Sequence, residues 1–157
     1  MSGRTLNILL VEDNPDHAEL LRRSLKDLSA ASFLHHAEDG EAALDYLLGR
    51  AAYADRRRFP VPDLVLLDLR LPRVDGLEVL RHVKTHATLH STPVVVLTTS
   101  DDERDVAMAY EFRANSFLTK PVDPQRLSQL IERFGSGQLA RNQNPDSAAT
   151  HDAHTAH

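Results

Sequence analysis

Pro62-Asp63-Leu64-Val65-Leu66-Leu67-Asp68-Leu69-Arg70-Leu71-Pro72 is the stretch that decides the fold of this chain. Its centre is an unbroken apolar run that ends at Asp68, and a proline and then the Asp75-Gly76 turn follow it. A short apolar run between turn residues is typical of a strand that is buried on both faces, as in a parallel sheet. We therefore expect Asp68 at the carboxyl end of a central strand, where open α/β sheets place their ligands.

Composition and charge narrow the class of protein. The chain has 157 residues, of which 41% are hydrophobic and 26% charged, as is ordinary for one globular domain. The net charge of −5 gives no sign of a nucleic-acid-binding surface. The absence of cysteine excludes disulfides, thiolate metal sites and a cysteine nucleophile. We find neither a signal-peptide pattern nor the roughly 20 apolar residues that a membrane span needs, and we expect a cytoplasmic protein.

Apolar strand-like runs and amphipathic helix-like segments alternate five times along the chain. The predicted strands are 6–11, 33–37, 64–68, 93–98 and 115–120. The first predicted helix begins at Pro15, directly after a capping Asn14, and has an apolar face with Leu20 and Leu21. The other predicted helices are 41–48, 74–84, 101–112 and 124–134. This alternation predicts an α/β fold with a parallel sheet that is covered by helices on both faces.

Two stretches lie outside this pattern. The loop from Gly49 to Pro60 carries Arg56-Arg57-Arg58, which we interpret as solvated surface residues. Residues 135–157 are polar or small, with one leucine and no aromatic residue, and they predict a flexible tail. The histidines at 151, 154 and 157 could bind a metal adventitiously, but the tail lacks the rigid surroundings of a specific site.

Four of the five predicted strands end in reactive or charged side chains. These are Glu12-Asp13, Asp68, Thr98 and Lys120. Each has an ordinary explanation when taken alone: a turn with a helix cap, a β-branched strand end, or a surface lysine. Because the carboxyl ends of parallel strands lie along one edge of a sheet, their common location instead favours one shared pocket.

The three carboxylates predict a magnesium site. Clustered carboxylates repel and raise one another's pKa unless a cation binds. Mg²⁺ prefers oxygen ligands in a tight octahedron. We expect Asp13 and Asp68 to bind the ion directly, Glu12 directly or through water, and the backbone carbonyl of Arg70 as a further ligand.

These residue types are suited to phosphoryl transfer. A bound Mg²⁺ would offset the charge of a phosphoryl donor, and Asp68 could attack phosphorus as a carboxylate nucleophile. Lys120 would pair with the phosphoryl oxygens as a compact cation, and Thr98 would donate a hydrogen bond to them.

Over residues 5–134 the chain resembles the receiver domains of bacterial two-component response regulators. The matching residues are Glu12-Asp13, Asp68 within Leu67-Asp68-Leu69-Arg70-Leu71-Pro72, the Asp75-Gly76 turn, Thr98 and Lys120-Pro121. More narrowly, four segments resemble the single-domain regulators that are paired with bacterial phytochrome histidine kinases. They are 11–15, the arginine-bearing loop, 97–101 and 117–122.

The resemblance implies a doubly wound, flavodoxin-like receiver fold with five helices and the strand order 2-1-3-4-5. It implies a signalling switch rather than an enzyme, with phosphoryl transfer from a histidine of a sensor kinase to Asp68 and slow self-catalysed hydrolysis. It also implies that Thr98 moves towards the phosphoryl group while Phe117 turns inward. The Lys120–Pro121 peptide bond is expected to be cis.

The output is expected to be a contact between proteins, because residues 135–157 are too few for an effector domain. The fourth helix, fifth strand and fifth helix flank Thr98 and Phe117, and we expect a homodimer to form there. No nucleic acid or membrane partner is expected. A phosphate sink or shuttle for another histidine kinase is an alternative with the same chemistry.

Two functions from other classes fit less well. An aspartyl-nucleophile phosphatase of the haloacid dehalogenase type wants a second aspartate as general acid two residues after Asp68. Arg70 stands there, and it cannot donate a proton at neutral pH. A flavodoxin-like FMN binder would need a phosphate-binding loop where Glu12-Asp13 would repel phosphate.

Overall fold

The computed structural model describes residues 6–26, 32–99 and 103–143, and five strands alternate with five helices in them. The strands are Leu6–Val11 (β1), Ser32–Ala37 (β2), Leu64–Asp68 (β3), Val94–Thr98 (β4) and Ser116–Thr119 (β5). The helices are Pro15–Lys26 (α1), Gly40–Leu48 (α2), Gly76–Thr85 (α3), Glu103–Glu111 (α4) and Pro124–Gln143 (α5). The predicted alternation of strands and helices is confirmed.

All five strands pair in parallel within one sheet, in the order β2-β1-β3-β4-β5. The register pairs Val11 with Leu67 and Asp68 with Leu97, so that β1, β3 and β4 end close together. This is the predicted order 2-1-3-4-5, and it confirms the doubly wound α/β fold. All residues of β3 are buried, as the apolar run predicts.

Apolar side chains form a separate core on each face of the sheet, since alternate residues of a strand point to opposite faces. On one face, Val65 and Leu67 of β3 pack with residues of α2 and α3. On the other, Leu64 and Leu66 pack with residues of α1 and α5. The two cores hold β3 from both sides and so fix the position of Asp68 at its end.

The start of α1 is confirmed, but one of its predicted core residues is wrong. The side chain of Asn14 caps the helix, because its Oδ1 accepts hydrogen bonds from the backbone N–H of Asp16 at 2.9 Å and of His17 at 3.2 Å. Leu20 was expected to be inward, yet it is 60% exposed. The buried stripe of α1 is formed by Ala18, Leu21 and Leu25, whose spacing keeps them on one face.

The last helix is longer than predicted. It does not end at Phe134 but continues through Gly135-Ser136-Gly137 to Gln143, so residues 135–143 of the predicted tail are helical. Each internal glycine costs about 1 kcal/mol relative to alanine, but the following 138–141 are mostly good helix formers. Residues 144–157 lie outside the described part, where a flexible tail stays a prediction. None of the described helices is long and apolar enough to cross a bilayer.

Arg56, in the loop between α2 and β3, is not the solvated residue that was expected. Its guanidinium donates hydrogen bonds to the carbonyl oxygens of Tyr46 at 2.8 Å, Leu47 at 2.7 Å and Phe59 at 3.1 Å. Two of these carbonyls belong to the last turn of α2, where helix carbonyls lack the usual i+4 partners, although the Tyr46 carbonyl also accepts the backbone N–H of Gly49 at 3.2 Å. Arg56 therefore joins the end of α2 to the loop that leads into β3.

Replacing Arg56 with alanine should lower the free energy of unfolding by about 2 kcal/mol, because three carbonyl oxygens lose a charged donor. Urea denaturation followed by circular dichroism measures the change. The neighbouring Arg57→Ala serves as the control, since the Arg57 side chain is exposed, and its effect should stay within about 0.5 kcal/mol. Equal effects of the two substitutions would contradict the role given to Arg56.

Candidate functional site

A pocket of about 270 Å³ lies at the carboxyl edge of the sheet. The neighbouring strands β1, β3 and β4 end at this edge, and the residues that follow β1 and β5 reach the same place. The predicted metal ligands and the predicted phosphoryl-binding residues all line this pocket, whereas Phe117 does not. The lining is Glu12, Asp13, Asn14, His17, Asp68, Leu69, Arg70, Leu97, Thr98, Thr99 and Lys120.

The ammonium of Lys120 lies between two buried carboxylates. Its Nζ is 2.8 Å from Glu12 Oε1 and 2.8 Å from Asp68 Oδ2. Glu12 is 0% exposed and Asp68 6%. The backbone N–H of Lys120 donates to the carbonyl of Thr98 at 2.7 Å, which ties the end of β5 to the end of β4. The Lys120–Pro121 bond is cis, as the resemblance implied.

Burial and charge shift the pKa values of this pair. Burial raises the pKa of Glu12 above its ordinary value; the hydrogen bond from Lys120 opposes this, and the charge of Asp68 adds to it. Burial acts to lower the pKa of Lys120, but its hydrogen bonds and ion pairs with Asp68 and Glu12 outweigh burial and raise it. One firmly protonated ammonium is thus shared by two carboxylates, which leaves an excess of negative charge.

Asp13 adds a third carboxylate to this excess. Asp13 is exposed at the pocket, and one carboxylate oxygen from each of Glu12, Asp13 and Asp68 lies within 4.8 Å of the others. Oxygen ligands and uncompensated negative charge are what a hard divalent cation requires. The residues therefore fit the predicted Mg²⁺. The backbone N–H of Arg70 donates to Asp68 Oδ1 at 3.0 Å, while the role of the Arg70 carbonyl as a ligand stays a prediction.

Two further side chains at the edge of the pocket have partners of their own. The hydroxyl of Thr98 donates to the carbonyl of Thr99 at 3.3 Å. The guanidinium of Arg70 lies 3.9 Å from Asp105 Oδ2 on α4. Thr98 is 6% exposed and forms part of the pocket wall.

Phe117 lies beside a second cleft, of about 470 Å³, between α4 and β5. Its ring packs against that of Tyr110, with centroids 4.2 Å apart. Thr98 and Thr99 line both this cleft and the first pocket. The two residues of the predicted switch, Thr98 and Phe117, therefore border one cleft, although their movement stays a prediction.

His17 was missed in the sequence and lines the pocket. Its Nδ1 is 3.3 Å from Lys120 Nζ and 3.7 Å from Glu12 Oε2. The available signal was its place in the first turn of α1, which begins almost directly after Glu12-Asp13. A helix that starts at the edge of a pocket brings the side chains of its first turn close to that pocket.

Comparison with known proteins gives one family and several similar regulators. The family described as "Response regulator receiver domain" matches residues 8–132. The probable methanogenesis regulatory protein FilR2 of Methanothrix harundinacea is 43% identical over 90% of this chain and 88% of its own length. The response regulator Rcp1 of Synechocystis is 40% identical over 82% of this chain and 86% of its own length.

Solved structures of similar regulators share the fold. The phosphorylated cyanobacterial phytochrome response regulator RcpA superposes with a TM-score of 0.74 and 35% identity, over 87% of this chain and 95% of that one. The Mn²⁺-bound form of Rcp1 superposes with a TM-score of 0.71 and 39% identity, over 83% of this chain and 92% of that one.

Substitutions of the two partners of Glu12 should move its pKa in opposite directions. Asp68→Asn should lower the pKa of Glu12, because it removes a neighbouring negative charge. Lys120→Met should raise it, because it removes the hydrogen bond that favours the ionised form. Carboxyl ¹³C NMR titration without divalent cations measures both shifts. If both substitutions shifted the pKa of Glu12 in the same direction, this would contradict the sharing of the Lys120 ammonium between Glu12 and Asp68.

Proposed function

The chain belongs to the response regulator receiver domain family, and from this membership we propose that it is a single-domain response regulator that accepts a phosphoryl group on Asp68 from a sensor histidine kinase. Receiver domains of this family are signalling switches. The observation that carries the proposal is the buried Asp68 carboxylate, whose Oδ2 lies 2.8 Å from Lys120 Nζ in a pocket with two more carboxylates.

Asp68 is the nucleophile of the proposed transfer. One of its oxygens attacks the phosphorus of a phosphohistidine, the new O–P bond forms, the N–P bond breaks, and the histidine nitrogen leaves with the bonding electron pair. Lys120 already lies beside Oδ2, so its ammonium can pair with the incoming phosphoryl oxygens. The hydroxyl of Thr98 turns from the Thr99 carbonyl and donates to a phosphoryl oxygen.

Asp13 and Asp68 are the proposed direct ligands of Mg²⁺, with Glu12 bound directly or through water and the backbone carbonyl of Arg70 as a further ligand. When bound, the cation supplies positive charge that offsets the charge of the phosphoryl oxygens. The close carboxylate oxygens of this chain support the assignment, and so does the solved Mn²⁺-bound form of the similar regulator Rcp1.

The proposed switch links the phosphorylated pocket to the cleft beside Phe117. Thr98 lines both the pocket and the cleft, so the rotation of its hydroxyl towards the phosphoryl group changes the shape of the cleft. The Phe117 ring then turns inward, away from Tyr110. Phe117 has no hydroxyl, so its two positions differ in packing alone. The phosphoryl group shifts the equilibrium because it makes contacts in one state that it lacks in the other.

Incubation with Mg²⁺ and phosphoramidate, a small phosphohistidine-like donor, should add one phosphoryl group to the wild-type chain, as measured by intact-protein mass. Asp68→Asn should gain none. Asp63→Asn is the matched control, because Asp63 is a carboxylate as buried as Asp68, at 4% exposure, that precedes the same strand. It should gain the group as the wild type does.

Removing the cation separates its role from that of Asp68. With excess EDTA the wild type should no longer gain mass, and Asp13→Asn should require more Mg²⁺ for the same rate. Equal gain by Asp68→Asn and the wild type would overturn the proposed acceptor. Undiminished gain in EDTA would overturn the proposed role of the metal.

The proposed kinase partner is a phytochrome-type histidine kinase. Support comes from the four matching segments and from the similarity to the phytochrome response regulator RcpA. Such a kinase, autophosphorylated with radiolabelled ATP, should transfer its label to this chain at least about tenfold faster than a histidine kinase without a phytochrome sensor. Equal transfer from both would favour a phosphate sink or shuttle that serves another kinase.

A homodimer through α4, β5 and α5 is the proposed output. Tyr110 on this face is 60% exposed and Met108 38%. With Mg²⁺ and beryllofluoride, a mimic of the phosphoryl group, light scattering should give the mass of a dimer, and Tyr110→Asp should weaken the dimer about tenfold. Leu20→Asp on α1 is the control, because Leu20 is also 60% exposed. A monomer under all conditions would contradict this output.

A further inference from the structure

The ammonium of Lys120 has a third acceptor, on α1. Besides the two carboxylate oxygens at 2.8 Å, His17 Nδ1 lies 3.3 Å from Nζ. An ammonium can only donate hydrogen bonds, so the ring nitrogen that faces it carries the lone pair and the proton of the neutral ring is on Nε2. The Lys120 side chain is 13% exposed, which leaves little room for water to replace the imidazole.

We infer that His17 is a positioning residue that holds the Lys120 ammonium in place for the phosphoryl group, an inference that rests on the proposed function. Contacts with two acceptors leave Nζ free to swing about the line that joins them, whereas a third acceptor on α1 restrains that movement. When the phosphoryl group arrives on Asp68, one hydrogen turns to a phosphoryl oxygen. Glu12 stays ion-paired with the ammonium and His17 accepts another of its hydrogens, so Nζ stays at the pocket.

The contacts around His17 favour Lys120 as its partner. The backbone N–H of His17 donates to Asn14 Oδ1 at 3.2 Å, which fixes the start of α1 at the pocket. Glu12 Oε2 already accepts a hydrogen bond from the backbone N–H of Asn14 at 3.2 Å, and it lies farther from His17 Nδ1, at 3.7 Å. The shorter distance and the donor-only chemistry of the ammonium both direct the Nδ1 lone pair to Lys120.

A neutral acceptor suits this position better than a charged one. The pocket already holds three carboxylates and one ammonium. An aspartate or glutamate at position 17 would add a fourth negative charge and repel the phosphoryl oxygens. The imidazole completes the hydrogen bonds of Lys120 without adding charge, and so keeps the pocket able to receive an anionic group.

The test compares His17→Ala, which removes the acceptor, with His17→Asn, which places an amide oxygen close to the former Nδ1. Calorimetry measures beryllofluoride affinity in the presence of Mg²⁺, and mass spectrometry measures the rate of phosphorylation by phosphoramidate. His17→Ala should weaken beryllofluoride binding and slow phosphorylation about tenfold, as expected for one lost hydrogen bond to a charged group. His17→Asn should recover most of both.

Two controls separate positioning from folding. His82→Ala removes a histidine of matched exposure, 45% against 46% for His17, that pairs with Glu78 on α3, and it should leave both measurements unchanged. The melting temperature of His17→Ala should remain close to that of the wild type. ¹⁵N NMR should show faster hydrogen exchange of the Lys120 ammonium in His17→Ala and slower exchange again in His17→Asn.

Three results would overturn the inference. Wild-type behaviour of His17→Ala would show that Lys120 needs no third acceptor. Equally weak binding by His17→Ala and His17→Asn would show that the acceptor is not what matters. A wild type that neither binds beryllofluoride nor gains a phosphoryl group overturns the proposed function and this role with it, whereas the first two results leave the proposed function standing.

Discussion

The sharing of one lysine ammonium between two buried carboxylates is the interaction on which the site depends. Lys120 Nζ lies 2.8 Å from an oxygen of each of Glu12 and Asp68. Burying these carboxylates without a cation would cost several kcal/mol each, since a buried charge needs a partner. The contacts of Lys120 with Glu12 and Asp68 also join the ends of β1, β3 and β5, three strands that are far apart in the sequence. In this structure Lys120 compensates the charge of Asp68, and in the proposed phosphorylated state it would pair with a phosphoryl oxygen instead.

The parallel sheet makes that interaction possible. Each core holds alternate residues of β3, so Asp68 has little freedom at the strand end. The hydrogen bond from Lys120 N–H to the Thr98 carbonyl places the lysine beside the end of β4. Asp13, by contrast, is exposed, which leaves the pocket open to a cation and a donor. Asp68, the proposed nucleophile, is thus held by the buried interior, while the side of the pocket that carries Asp13 is exposed.

The sequence predicts the sheet, its central strand and the grouping of charged residues because these follow from apolar runs and from the geometry of parallel strands. It does not predict features that depend on contacts across the chain. Arg56 looks like a surface residue until the last carbonyls of α2 are found beside it. His17 looks like an ordinary residue of the first turn, because its contact is with Lys120, 103 residues away. The prediction that Leu20 is buried was wrong, because apolar character alone does not show which side of α1 faces the sheet.

The most direct measurement is a crystal structure of this chain with Mg²⁺ and beryllofluoride. We expect beryllium to be bonded to an oxygen of Asp68, with Lys120 Nζ in contact with a fluoride while it remains beside Glu12, and with the Thr98 hydroxyl turned to a second fluoride. Beryllofluoride bound elsewhere, or bound to Asp68 with Lys120 remote from every fluoride, would contradict the account of the site.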